Sequence, residues 1–301
     1  PPPPPPPPPP LFFPPHPPPP PILSGLVGSE MCIRDREKII SSIRNEALTL
    51  GGLFNGLDEL TWKAETSFKS WSPEIILSHL LYFDRMTIYS LNDLDKFNEE
   101  ATFLFKTFSS ETNSLTRAQI VKDRLLIDSR SSMIAEWKAS NQEMTNIFFN
   151  VDPDQRCQWF GPDMSARMFM VARYMETWSH SQAIYELLDE RRHYTDDIEH
   201  IVDIGVKTFK WSFRNRKLDV PEIIPYIELI SPTGETWSFN EINKEESILG
   251  LATDFCHVVT QNRNIKDTEL EVNGKISEHW MSIAQCFAGE PEDPPEQGER
   301  N

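Results

Sequence analysis

The sequence predicts a mainly α-helical protein with a small α+β part toward its C-terminal end. Three observations carry this. Between residues 37 and 191 the apolar residues recur at helical spacing. After Arg192 the period shortens, and strand-like alternation flanks a Pro-Thr-Gly turn. Capping residues and Pro or Gly breaks punctuate the chain at intervals suited to helices.

The chain opens on an unbroken proline run, Pro1 to Pro10, and a second proline-rich stretch ends at Pro21. Proline has no backbone donor and builds no core, so this segment is an exposed polyproline rod or is disordered. Residues 22–36 carry no helical or strand period and look like translated adapter sequence. Residues 1–36 are therefore set aside as a disordered proline-rich or artefactual segment. A ligand for a proline-binding domain is the functional alternative.

Residues 37–60 carry Ile39, Ile40, Ile43, Ala47, Leu48, Leu50, Leu53, Leu57 and Leu60 at helical spacing, weakened by Gly51-Gly52. Ser72 caps a second helix with Pro73 at its first position, and Ile75, Ile76, Leu80, Phe83 and Met86 form its buried stripe. Asn92 to Phe108 reads as a shorter helix. Thr116-Arg-Ala-Gln119 is a capping box opening one long helix to about Asn150. A loop follows, marked by Val151-Asp-Pro and Gly161-Pro162, and then a helix from about Ser165 to Arg191. Four long helices with modest connections suggest a four-helix bundle over residues 37–192.

The second part, residues 193–289, opens with a helix from Asp196 to about Arg214. Tyr226 to Ile230 and Glu235 to Phe239 form a β-hairpin around Pro232-Thr-Gly234. A helix is expected from about Glu245 to Gln261, a short strand at Glu269 to Val272, and a last helix from Ser277 to Phe287. Residues 290–301, rich in Pro and Glu, are expected to be a disordered acidic tail.

Composition narrows the function. The net charge of −17 belongs to residues 37–301, because Glu30 and Asp35 cancel Arg34 and Arg36. Such a chain gains nothing from counterion release on a nucleic acid, so no nucleic-acid partner is expected. No run of about 18 apolar residues suggests a membrane span. Once Cys32 of the excluded segment is set aside, Cys157, Cys256 and Cys286 are scattered and odd in number with no CxxC pair, which reads as free buried thiols in a cytoplasmic protein. Oligomeric state is not legible.

The chemistry gathers in two stretches. Glu176 and His180 are four residues apart, so with about 3.6 residues per turn they sit on one helix face. His79 lies on another helix among residues that should face a core. If the helices pack side by side, one carboxylate and two imidazoles converge on a three-ligand metal site with a position left for water or substrate. Taken singly, the Glu–His pair is also what a solvated helix face offers, and His79 what a core offers. Asp84 stands about 140° round the helix from His79; it could orient a ligand from behind or pair with an arginine. Arg173 could anchor an acidic substrate or form a surface or interdomain ion pair, and Arg263 could reach a cleft. His200 and His257 lack partners at ligand spacing and read as structural. Cys157 lacks a nearby base and is a poor nucleophile candidate.

The segment Trp71-Ser-Pro-Glu-Ile-Ile-Leu-Ser-His79-Leu-Leu-Tyr-Phe-Asp84 resembles the first metal segment of the DinB-like, maleylpyruvate-isomerase-type metal proteins. Glu176-Thr-Trp178-Ser-His180 resembles their E-x-W-x-H segment. Ser231 to Trp237, Asp254 to Gln261 and Ile283 to Gly289 resemble the C-terminal domain of one subfamily. The resemblance implies a DinB-like four-helix bundle holding a divalent ion, usually zinc, on His79, Glu176 and His180. It further implies a low-molecular-weight thiol such as mycothiol, activated as a nucleophile that adds to a double bond, permits rotation and leaves. The expected partner is then a small thiol or an acidic substrate. A non-catalytic metal- or ligand-binding module is the rival reading. A tRNA wyosine-related role, suggested by the C-terminal segment, ranks last on charge.

Overall fold

The computed structural model describes the backbone over residues 21–300 and the side chains over residues 34–300. The expectations for the proline runs lie outside the described residues. Helix α1 (Pro21–Gly56) starts earlier than the apolar period suggests. Proline fits its first position, where a missing N–H costs nothing. Ile39, Ile43, Leu50 and Phe54 on α1 are fully buried. Gly51 does not break the helix. It lets Lys138 pass so close that an added Cβ would meet the Lys138 side chain at 2.7 Å.

Asp58 caps the short α2 (Glu59–Lys63) by accepting from the Thr61 N–H at 2.7 Å. Ser72 caps α3 (Pro73–Asn92), as the sequence predicts. Helix α4 (Leu94–Phe108) follows. The long helix expected from Thr116 is two helices, α5 (Ser114–Leu125) and α6 (Arg130–Asn150). Asn113, rather than Thr116, caps the first. The break falls at Leu126, which is left-handed at φ 56° and 86% exposed. Ser129 then offers its Oγ to the Ser132 N–H and starts a new helix. Two short strands, β1 (Arg156–Cys157) and β2 (Met164–Ser165), pair within the next loop. Ser165 caps α7 (Ala166–Leu188).

Helix α3 packs on α2, α4, α5, α6 and α7. Accordingly it is buried almost all round rather than along the one stripe that its sequence suggests.

Beyond α7 a 3₁₀ turn leads into α8 (Glu199–Lys207) and α9 (Phe209–Asn215), again two helices where one is expected. At the junction the Thr208 hydroxyl bonds back to the Ile204 carbonyl. Strands β3 (Tyr226–Ile230) and β4 (Thr236–Phe239) form the expected hairpin. A strand, β5 (Ser247–Leu251), replaces the start of the helix expected at Glu245 and runs parallel to β3. Gly250 at φ 145° is incompatible with a helix, so α10 (Ala252–Val259) begins only after it. Strand β6 (Glu271–Asn273) and α11 (Lys275–Ile283) complete a four-stranded sheet of order β4-β3-β5-β6 with its helices. The protein is thus mainly α with a small α+β part.

Residues 36–301 form one compact unit. One apolar cluster runs from Ile39 and Phe148 through Tyr174 and Trp178 to Phe209, Ile248 and Trp280. Each such fully buried large side chain contributes about 2–3 kcal/mol. The change of pattern near residue 192 therefore marks a change of architecture within a continuous core. Among the described residues no helix is long and apolar enough to cross a membrane.

The tail departs from the disorder that its composition suggests. Gln261 donates to the Glu292 carbonyl at 2.8 Å, Asn264 to that of Pro295 at 2.8 Å, and Arg216 pairs with Asp293 at 2.7 Å. Arg300 is buried on Asn262 and Glu186. Its guanidinium lies 5.3 Å from the centre of the Phe68 ring, in the loop between α2 and α3. Composition cannot register receptors that are folded from elsewhere in the chain.

Two outcomes are expected. Gly274 has φ 95°, and a Cβ there would stand 2.1 Å from the Glu245 carbonyl oxygen. Gly274→Ala should therefore lower stability by about 1–3 kcal/mol, read as a lower urea midpoint with unchanged slope. Deleting residues 290–301 should speed amide hydrogen exchange at Thr66 and Trp71, whose turn bonds to Trp71 and Phe68 shape the loop, while leaving α6 protected. Equal protection in both proteins would show that the tail does not hold this loop.

Candidate metal centre

Helix α7 presents Glu176 and His180 one turn apart, and α3 brings His79 to them. One Glu176 oxygen, Oε2, lies 3.4 Å from His79 Nε2 and 3.5 Å from His180 Nε2. One ligand atom from each of the three lies within 4.8 Å of the others. Two donors on a tetrahedral ion, each about 2.0–2.2 Å from it, are about 3.3–3.6 Å apart. The observed carboxylate–imidazole separations match that spacing, and they are long for hydrogen bonds.

Aromatic rings wall the group. Trp71 stacks on His180 at 5.7 Å with an interplanar angle of 7°, and Phe68 meets the same imidazole edge-on at 5.0 Å. Phe83 lies 4.7 Å from His79. Beyond Phe83, Trp159 and Phe160 continue the aromatic wall.

The electrostatics follow from this enclosure. Burial alone would raise the Glu176 carboxyl, but hydrogen bonding from His180 and His79 outweighs it and holds the group well below the usual range. Burial pulls His79 down to about 4, with the Glu176 contact opposing. At neutral pH the site therefore holds one carboxylate and, at His79, an unprotonated imidazole, the forms that bind a cation. His180 Nδ1 is buried with no hydrogen-bond partner.

Asp84 and Arg173 pair with each other rather than with the three candidate ligands. Arg173 donates from Nε and Nη2 to one Asp84 oxygen at 3.1 and 2.9 Å. Both side chains are buried. Of the two roles open to Asp84 in the sequence, the structure gives the arginine pair. Arg173 is neither at the surface nor open toward a substrate. Burial raises the Asp84 carboxyl, while Arg173, Asn141 and Trp137 pull it back.

Arg263 donates to Glu186 at 2.5 Å near the C-terminal end of α7. It lines a groove of about 930 Å³ with Gln182, Tyr185, Arg192 and Tyr194. Glu186 also accepts from Ser67 at 2.7 Å and pairs with Arg300 at 3.3 Å. Glu186, Arg300 and Phe68 escape a sequence reading. The only local signal is the aromatic pair Phe68 and Trp71 just ahead of the Ser72 cap.

Among the described residues the thiols of Cys157, Cys256 and Cys286 are free and buried. Burial raises Cys157, Cys256 and Cys286, and the nearby Glu176 carboxylate adds to the effect on Cys286. None is a ready nucleophile. His257 shares a hydrogen with the Tyr194 hydroxyl at 2.9 Å behind Trp178, and His200 meets the Tyr174 ring edge-on.

The comparisons agree with this region. The family model described as the mycothiol maleylpyruvate isomerase N-terminal domain matches residues 43–185. An uncharacterized protein of Mycobacterium tuberculosis, found in two strains, is 28% identical over 257 residues, which is 85% of this chain and 98% of that protein. Among solved structures, the mycothiol-dependent maleylpyruvate isomerase is similar over 74% of this chain and 88% of its own, at 10% identity and a TM-score of 0.47. The matched segment runs from α1 to α7 and contains His79, Glu176 and His180. Residues 43–185 of this chain thus match the model of the mycothiol maleylpyruvate isomerase N-terminal domain.

Proposed function

We propose that this protein binds one divalent ion, zinc by its donor set, on His79, Glu176 and His180, and uses it to activate a low-molecular-weight thiol for transfer or isomerisation. The observation that carries this reading is the shared Glu176 oxygen, at tetrahedral ligand spacing from two imidazoles. Two nitrogens and one carboxylate oxygen suit zinc. A bound divalent ion supplies a charge that deprotonates a thiol at neutral pH.

The chain's own residues define the rest. Among the described residues the group comprises three potential ligands. Three protein donors are the open arrangement of catalytic zinc, whereas a structural site closes with four. This favours an enzyme over a binding module. Phe68, Trp71 and Phe83 limit water around the imidazoles. Because burial keeps the three cysteines among the described residues as thiols, none of these supplies the nucleophile, and an external thiol fills that role. The family's name points to mycothiol as the thiol and to an acidic, maleylpyruvate-like acceptor.

Elemental analysis of purified protein is expected to give about one zinc per chain. His180→Ala should weaken binding by more than about 100-fold, beyond the loss typical of residues that only support ligands. Full metal content in His79→Ala, Glu176→Ala and His180→Ala alike would remove the site. Mycothiol, bacillithiol and glutathione, each offered with a maleylpyruvate-like acceptor, then separate the readings. Turnover with one of them supports the enzyme; bound zinc without thiol binding or turnover supports the module.

A further inference from the structure

The Asp84–Arg173 pair has no part in the ligand set, yet it is the buried ion pair nearest to it in sequence on both helices. Asp84 follows His79 by five residues on α3, and Arg173 precedes Glu176 by three on α7. At about 1.5 Å rise per residue the pair lies about 5–8 Å along the helices from the ligands. Arg173 grips one Asp84 oxygen with two N–H groups. Asn141 and Trp137 of α6 lie near the same carboxylate, although its Oδ2 makes no well-formed hydrogen bond to either. Three helices thus meet at one buried charge.

Stability does not account for this pair. Desolvating two charges offsets most of their attraction, and well-packed apolar residues of similar size commonly do as well or better. What an ion pair adds is direction. The apolar contacts of α3 with α7 are non-directional and tolerate sliding, whereas a two-pronged guanidinium contact fixes both distance and angle. Metal ligation needs that control, since ligand distances hold to about 0.2 Å.

We propose that Asp84 and Arg173 are positioning residues: their buried clamp sets the register of α3 against α7 and so holds His79 at ligand distance from Glu176 and His180. This rests on the metal reading given above. The hydrogen bonds of the clamp run between Arg173 and Asp84 and not to the three candidate ligands.

The test uses the full chain, with Zn²⁺ for affinity and Co²⁺ for the ligand-field spectrum. The double variant Asp84→Leu/Arg173→Met removes the charges and keeps the volume. Its thermal midpoint should equal or exceed that of the wild type, while Zn²⁺ affinity falls about 10–100-fold and the intense tetrahedral Co²⁺ bands weaken. Wild-type affinity and spectrum in the double variant would overturn the clamp and leave the metal site standing. Absence of metal binding in the wild type would sink the metal reading and the clamp with it. Should the double variant not fold, Arg173→Lys carries the test, because it keeps the charge and loses the fork. It should melt near the wild type and bind Zn²⁺ several-fold more weakly; unchanged Zn²⁺ affinity overturns the proposal.

Discussion

A partly buried carboxylate needs donors within a few ångströms, or its pKa rises. Glu176 is answered by imidazoles on two different helices, and much of the architecture follows from that need. His180 comes at no cost of topology, since it is the next turn of the same helix. His79 requires α3 to run alongside α7, inside a ring of other helices. That enclosure makes α3 buried nearly all round and brings Trp71 and Phe83 against the imidazoles.

Helix α7 is held at several points along its length. Arg192 donates to Glu46 of α1 and to the Trp178 carbonyl, and its guanidinium lies over the Trp178 ring. Ser181, the residue after His180, donates to the same Glu46. Beyond α7, α8 packs on its outer side, and His257 of α10 backs Trp178. The α+β part therefore buttresses the helix that carries two of the three candidate ligands, and the tail reaches the loop bearing Phe68. A second half that supports the first explains why one core cluster runs through both.

Much of the site was legible because its parts are local. A Glu and a His one turn apart announce a shared face, and Ser72-Pro73 fixes where α3 begins and hence which residues share a face with His79. Whether His79 meets Glu176 depends on tertiary packing, which periodicity does not encode. The same limit hid the Asp84 partner, since an aspartate 140° from a ligand reads equally well as support or as a salt bridge. Helix breaks at Leu126 and Thr208 escape the pattern because apolar spacing continues across them, and what competes with it is the Ser129 cap and the back-bond of the Thr208 hydroxyl to Ile204. Strand β5 was misread as helix because Ser247-Ile-Leu-Gly-Leu is short and apolar, a pattern common to both. The tail looked disordered because its own composition is polar, while its anchors, Gln261, Asn264 and Arg216, belong to other segments.

The thiol question turns on the same physics as the carboxylate. A buried group keeps its charge only where the fold supplies a partner, and the fold supplies one to Glu176 and none to the cysteines. Cys286 is the sharpest case: it lies close enough to feel the Glu176 charge, and that charge makes its thiolate less favourable still. An intramolecular thiolate beside the imidazoles would demand a cation to offset both negative groups. On the proposed reading, an external thiol avoids burying a second anion permanently beside Glu176, because its charge would develop only at the proposed ion. The arrangement of one fixed carboxylate, two imidazoles and protonated neighbouring thiols is thus internally consistent with a nucleophile delivered from solution. A cysteine nucleophile of the chain itself would need the opposite electrostatics.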